Sequence, residues 1–358
     1  MPDSAHILRQ SFLFLCVLFL LPDLIFSQIE VKHVRQADTI ETTLDLFGET
    51  DPMHITLTLD LKKYQREKYN GEYLPASFLY ELNDTLYLRK EMRMKARGEF
   101  RRGHCSLPPF WLDLPKSDFE DEEQQDFARI KIVSHCKGSS AYEEYVLKEY
   151  LCYKIYNIIS PNSFRVRLVR MTYVDTGRDN RTTEGWAFMI EPVEMLAQRF
   201  DAMEIEKEGL LSRNMRPVEM NMLALFQYMI GHTDYSVPLR HNVKILGLSG
   251  IGYAGYIPVP YDFDYSGLVD AYYALPAEFL NITSVRERYY VGPCRPDVDF
   301  VLAIEQLNSY REEILNLVWN FEYLDQKVKK SIVSYLEVYF NQAAHQKSLL
   351  FGFKRTCL

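Results

Sequence analysis

A two-lobed α+β fold, with a β-rich N-terminal lobe and a helical C-terminal lobe, is predicted by three observations. Apolar and polar residues alternate early, as in Ile55-Thr56-Leu57-Thr58-Leu59-Asp60-Leu61, which is the period of a half-buried strand. Late in the chain, from Asp299 to Leu350, apolar residues recur at threes and fours instead. No internal repeat, low-complexity tract or linker separates the two regimes, so strands and helices belong to one folded unit.

Taken in order, Ile55–Leu61 reads as a strand, and Leu86–Leu88 and Met92–Ala96 repeat its pattern. Ala96–Gly103 places two glycines among basic residues, and Phe110–Leu114 resumes the alternation. Residues 85–115 therefore read as a meander with a basic turn. Such a turn suits a phosphate through its amides and arginines, and equally suits a solvated hairpin tip. Ser117–Glu123 is a run of acids and reads as an exposed loop. Ala128–Val133 returns to strand with Lys131 among apolar neighbours, and Glu143–Ile159 is helical until Pro161 and Asn162 end it. Phe164–Leu168 continues as a strand towards Val174, and Trp186–Ile190 reads as a short buried strand. Helices follow near Val193–Phe200 and at Met220–Ile230.

The chain opens with a ten-residue apolar block, Phe12–Leu21, preceded by Arg9 and followed by Pro22-Asp23, with the small residue Ser27 as a cleavage point. This layout predicts a signal peptide over residues 1–27 and export to the periplasm, cell envelope or exterior. The block is too short for a comfortable span, so no integral membrane span is expected after cleavage; an uncleaved anchor is the alternative. The formal charge of −8 includes Arg9, Asp3 and Asp23, so the mature chain carries −7. That mildly acidic balance argues against nucleic acid as a partner. Five cysteines remain, an odd number that leaves one thiol unpaired. Cys105 and Cys136 lie beside turn or strand ends and form the preferred disulfide. Cys294 with Cys357 is the second pair, and Cys152 falls on the apolar side of a helix. Zinc at the two His-Cys pairs is the competing reading, without a second ligand at structural-site spacing.

The chemistry concentrates where an apolar run delivers Asp262-Phe263-Asp264 into Tyr265-Ser266-Gly267, placing two carboxylates at a strand tip. Upstream, Gly231-His232-Thr233-Asp234 closes an apolar helix and Asn242 follows, so an Asp, an Asn and an Asp-x-Asp arrive in the order a phosphotransferase needs. Lys131 on a strand and Glu149 on the next helix match the phosphate-gripping lysine and its carboxylate partner. Singly, Lys131 reads as a strand-edge lysine and Glu149 as a surface helix residue. His232 and His241 read as helix-end caps, with a metal pair as the alternative.

This ordered set, with Lys131-Ile132-Val133, Leu147–Leu151, Phe164–Val166, Phe188–Glu191, the Arg97-Gly98 turn and the early Asp51–Ile55, resembles the spore coat protein H (CotH) family of atypical protein kinases, in particular an exported branch found in Bacteroidetes-type bacteria. The resemblance covers most of the mature chain and implies an atypical kinase-like domain over residues 28–358, with lobes at about 28–190 and 191–358. It implies ATP and Mg²⁺ as cofactors and a secreted or envelope protein as the Ser/Thr substrate. Lys131 would grip phosphates with Glu149 as its partner, and Arg97 and Gly98 would lie near them. Asp234 would accept or align the acceptor hydroxyl. Asp262, Asn242 and Asp264 would hold metal, and backbone around Ile190 and Glu191 would form the adenine hinge. The chain lacks a Gly-x-Gly-x-x-Gly loop, and Tyr265 stands where many relatives have Trp. The competing function class is a kinase-like envelope scaffold whose carboxylates bind Ca²⁺ or satisfy buried amides; a glycoside hydrolase would leave Lys131 and Glu149 without a role.

Overall fold

Strict alternation shapes the first half of the molecule. In strand β1 (Met53–Leu59) every second residue is buried, and Asp60 then caps helix α1 (Leu61–Glu67) by accepting the Lys63 N–H at 2.7 Å. Leu61, read as the end of the strand, is therefore the first residue of a helix. The chain continues through β2 (Leu74–Glu81), β3 (Tyr87–Ala96), the short helix α2 (Phe100–His104), β4 (Phe110–Asp113), β5 (Arg129–Ser134), the long helix α3 (Ser140–Ile159), β6 (Val166–Asp175) and β7 (Arg181–Ile190). It ends with α4 (Val193–Gln198), β8 (Ala202–Glu204), α5 (Pro217–Ile230), β9 (Val243–Leu248), β10 (Ile257–Pro260), α6 (Asp297–Ser309), α7 (Arg311–Asn320), α8 (Gln326–Ala344) and α9 (Gln346–Thr356). These elements come from a computed structural model that describes residues 46–48, 51–81, 87–113, 129–248 and 255–358. The proposed signal peptide, the acidic loop at 117–123, and the strand ends at Leu86, Leu114 and Ala128 lie outside the described residues.

The mixture of early strands and late helices agrees with the sequence reading. The arrangement of the strands goes beyond it. Strands β1–β2–β3–β4–β5–β7–β6 form a closed barrel, sealed by parallel pairing of β1 with β6 from Met53 opposite Val169 to Leu59 opposite Asp175. Closure removes exposed edges and surrounds a core that includes Leu57, Met94, Phe110, Ile132 and Met171. A second, larger core draws α3 together with α5 and the C-terminal helices around residues such as Leu151, Ile155, Phe226, Phe263 and Leu336. Helix α3, which follows β5 directly, thus carries the barrel into the helical half.

Three local differences matter for the site. The basic stretch at 96–103 is not a plain turn: after Gly98, in the left-handed region at φ +79°, the chain enters α2. The strand expected at Trp186–Ile190 is ten residues long and forms a hairpin with β6. The single C-terminal helical region resolves into four helices. Both anticipated disulfides, Cys105–Cys136 and Cys294–Cys357, are present and Cys152 is a buried free thiol, a pattern that fits an oxidising compartment. No described helix is long and apolar enough to cross a membrane.

Candidate active site

Lys131 sits in the middle of a cross-strand row, with Trp111 of β4 on one side and Ile190 of β7 on the other. Its side chain is 9 % exposed, and its ammonium lies 5.3 Å from the Trp111 ring centre and 5.1 Å from that of Tyr261. Among the described residues Nζ has no ion-pair partner. Burial pushes this ammonium down to about 7, with repulsion from Arg97 and Lys244 adding to it and Asp262 and Glu204 opposing. Arg97 stacks on the same Trp111 ring at 5.6 Å and likewise has no carboxylate within ion-pair distance among the described residues. Two cations thus share one indole ring, and neither has an ion-pair partner among the described residues.

The carboxylates gather beside them. Hairpin β9–β10 pairs Val243 with Pro260, which brings Asn242 and Asp262 to one end; the Tyr261 N–H closes this junction on the Asn242 carbonyl at 3.0 Å. Asp262 and Asn242 both adopt left-handed backbone, at φ +63° and +53°, a conformation Asp and Asn tolerate best among side chains. The Asp262 N–H donates to Tyr153 Oη at 2.9 Å, and Tyr273 Oη donates to Asp264 Oδ2 at 3.0 Å. Glu149, on α3, is 1 % exposed, and oxygens of Glu149, Asp262 and Asp264 lie within 4.8 Å of one another.

The expected Lys131–Glu149 pair is not formed. Arg101 of α2 takes Glu149 instead, at 3.1 Å, and the same guanidinium reaches Asp262 at 2.9 Å and Asp264 at 3.1 Å. The reason is geometric: a planar fork of five donors serves three carboxylates at once, whereas an ammonium is a compact point charge. Burial raises Glu149 to about 8 and Asp264 to about 6, each against the pull of Arg101. Burial would also raise Asp262, but Arg101 first and then Arg97 hold it below its ordinary value. Sequence reading missed Arg101 because α2 is only five residues long. A signal was nonetheless present: Cys105 caps α2, and its disulfide to Cys136 fastens that helix just beyond the strand of Lys131.

Asp234 follows from the end of α5. Gly231 terminates that helix at φ +68°, where a Cβ would come within 2.2 Å of Tyr335 Oη, so only glycine fits. Asp234 then emerges 46 % exposed, held by His241 Nε2 at 3.0 Å and by the Asn242 amide, which donates to its carbonyl at 2.7 Å and its carboxylate at 3.2 Å. Its charge is felt by Asp264 and His232. His232 is buried with Nδ1 3.0 Å from Gln227 Oε1, so the two histidines serve Gln227 and Asp234 separately rather than one metal pair. The Glu191 side chain has a structural role of its own. Its carboxylate is fully buried between Arg165 and Arg199, at 2.9 Å from each, and its N–H is taken by the Arg165 carbonyl at 3.0 Å. Ile190 stays beside Lys131 by register, and Gly98 lies open at the surface one turn before Arg101.

No protein-family model matches the chain, and no curated protein does. Among solved structures it is similar to the Helicobacter pylori proinflammatory kinase CtkA, with 11 % identity, a TM-score of 0.37, and coverage of 62 % of this chain and 91 % of that one.

Proposed function

We propose that the chain is an exported atypical kinase of the spore coat protein H type, which transfers the γ-phosphoryl group of ATP to a Ser or Thr hydroxyl of a secreted or envelope protein. One observation carries the reading: two cations with no ion-pair partner among the described residues, Lys131 and Arg97 on Trp111, stand beside a cluster of three carboxylates. A metal-bound polyphosphate is the ligand that completes both halves.

The all-oxygen donor set suits a hard divalent ion, so Asp262 and Asp264, with the Asn242 side-chain oxygen, would hold Mg²⁺. That ion would supply neutralisation of charge on the phosphates. Lys131 and Arg97 bind phosphate oxygens from the barrel side. Asp234, fixed by His241 and Asn242, accepts the acceptor hydroxyl's proton as its oxygen bonds to the γ-phosphorus, and the bond to the β-phosphate oxygen breaks to release ADP. Glu149 orients Arg101 rather than Lys131.

The second reading, a kinase-like envelope scaffold, is favoured by Arg101, which already satisfies all three carboxylates without a metal. Thermal shift with Mg-ATP separates the two. The kinase reading expects saturable stabilisation of the wild type that is lost in Asp262→Ala, together with radiolabel transfer to envelope extracts; a wild type indifferent to Mg-ATP leaves the scaffold.

A further inference from the structure

Every donor nitrogen of the Arg101 guanidinium is engaged by a carboxylate. Nε lies 3.1 Å from Asp264 Oδ2, Nη1 donates to Glu149 Oε2 at 3.1 Å, and Nη2 donates to Asp262 Oδ1 at 2.9 Å while reaching Glu149 Oε1 at 3.4 Å. Asp262 and Asp264 are also the carboxylates that would hold a divalent cation. A guanidinium and a metal ion compete for those oxygens, because a lone pair directed at Arg101 is withheld from the metal and the two positive charges repel.

The contacts differ in how readily they open. The Glu149 side chain is 1 % exposed and meets the guanidinium with both oxygens, whereas that of Asp262 is 30 % exposed. Glu149 is therefore the anchor, and Asp262 is the side from which a ligand enters. The backbone beneath the arginine is held at both ends of α2. The Phe100 ring packs on those of Tyr265 and Tyr273, at 5.9 and 5.3 Å, and Tyr273 in turn binds Asp264. Cys105 is fixed through its disulfide and through its carbonyl, which accepts from Lys68 Nζ at 2.9 Å. Release of Asp262 and Asp264 is thus a movement of the Arg101 side chain rather than of the helix.

We propose that Arg101 sets the ligand selectivity of this site: it occupies Asp262 and Asp264 as a built-in counter-ion, so that a bare divalent cation is excluded and one carried by a polyphosphate is admitted. The inference rests on the metal role proposed above for these carboxylates. Phosphate oxygens give the displaced guanidinium an anion in the bidentate geometry its fork matches, beside Lys131 and Arg97. A bare cation brings no anion and would leave Arg101 with Glu149 alone, facing a second positive charge.

The test titrates Mn²⁺, which like Mg²⁺ suits carboxylate oxygens, into the full chain with and without ATP, reading free Mn²⁺ by electron paramagnetic resonance. Wild type is expected to bind Mn-ATP, and to bind Mn²⁺ alone about tenfold or more weakly than Arg101→Gln. Arg101→Lys keeps a charge without the fork and should fall between the two, which preserves the test if the glutamine variant does not fold. The gain should vanish when Arg101→Gln is combined with Asp262→Ala. Wild type binding Mn²⁺ alone as tightly as the Arg101 variants, or more tightly, overturns the selectivity role and leaves the metal site standing. A gain that survives Asp262→Ala also overturns it, by placing the ion elsewhere. Mn²⁺ bound by none of these proteins, with ATP or without, overturns the metal site and the kinase reading along with the selectivity role.

Discussion

The two halves of the candidate site differ in how completely their charges are answered. On the helical side, three carboxylates converge on Arg101 and are satisfied by it. On the barrel side, Lys131 and Arg97 crowd one indole without an ion-pair partner among the described residues, and Lys131 loses the solvation that an ammonium ordinarily keeps. Burying an unpaired lysine costs stability, and under the proposed kinase reading the phosphates of ATP are what answers it.

Breaking the satisfied side should have the largest effect. Arg101→Gln leaves two buried carboxylates, Glu149 and Asp264, and the half-buried Asp262 unbalanced, for an expected loss of about 3–5 kcal/mol in denaturant unfolding. Millimolar Mg²⁺ or Ca²⁺ should restore part of that loss in the variant and do little for the wild type. A loss below about 1 kcal/mol would mean that the three contacts do not hold the cluster together.

Next comes the tether that keeps Arg101 in place. The Cys105–Cys136 bridge closes a loop with a sequence separation of 31, worth ~3–4 kcal/mol in the chain-entropy picture. Cys105→Ala with Cys136→Ala should lower the melting temperature and weaken nucleotide stabilisation together. Mass mapping of the unreduced protein should find the two thiols linked; finding both free would remove the tether from the explanation.

The frustrated side should respond in the opposite sense. Lys131→Met removes a buried charge and keeps a similar volume, so it is expected to raise the melting temperature by about 2–4 °C while weakening Mg-ATP binding at least tenfold. The pH dependence has a definite sign. Folded Lys131 titrates at about 7 against 10.5 in the unfolded chain, so between those values the unfolded chain binds more protons and wild-type stability rises with pH. The advantage of Lys131→Met should be greatest below pH 7 and fade by pH 10. An advantage that grows with pH would show that the ammonium is paired after all.

The smallest stability effect belongs to Asp234, which is 46 % exposed and held by an exposed histidine. Asp234→Ala should change stability by less than about 0.5 kcal/mol and leave nucleotide affinity intact, yet abolish phosphoryl transfer. Equal loss of binding and transfer would mean Asp234 has another role.

Much of this site is readable in the chain because its carriers lie in strongly patterned segments. Lys131 sits inside an apolar strand, Glu149 inside a helix with apolar residues at threes and fours, and Asp262 and Asp264 follow a short apolar run. The Cys105–Cys136 disulfide was legible from its position at element ends, and Cys294 with Cys357 was the pair that remained. What stayed hidden depends on contacts between segments remote in sequence. Barrel closure pairs β1 with β6 across more than a hundred residues, and no local period announces such a pairing. Arg101 is hidden for the same reason. Its five-residue helix has no periodicity to detect, and its three partners lie 48 residues away and further. The Glu191 carboxylate is another case: its partners Arg165 and Arg199 lie in other segments, and no local pattern announces that they hold it.

Calorimetric titration of Mg-ATP into wild-type protein and Lys131→Met, run side by side at pH 7, reaches the unpaired ammonium most directly. Saturable binding in the wild type, weakened at least tenfold in a variant that melts higher, is the anticipated result. Equal binding by the two proteins, or none by either, would contradict the assignment of the barrel-side cations to a phosphate ligand.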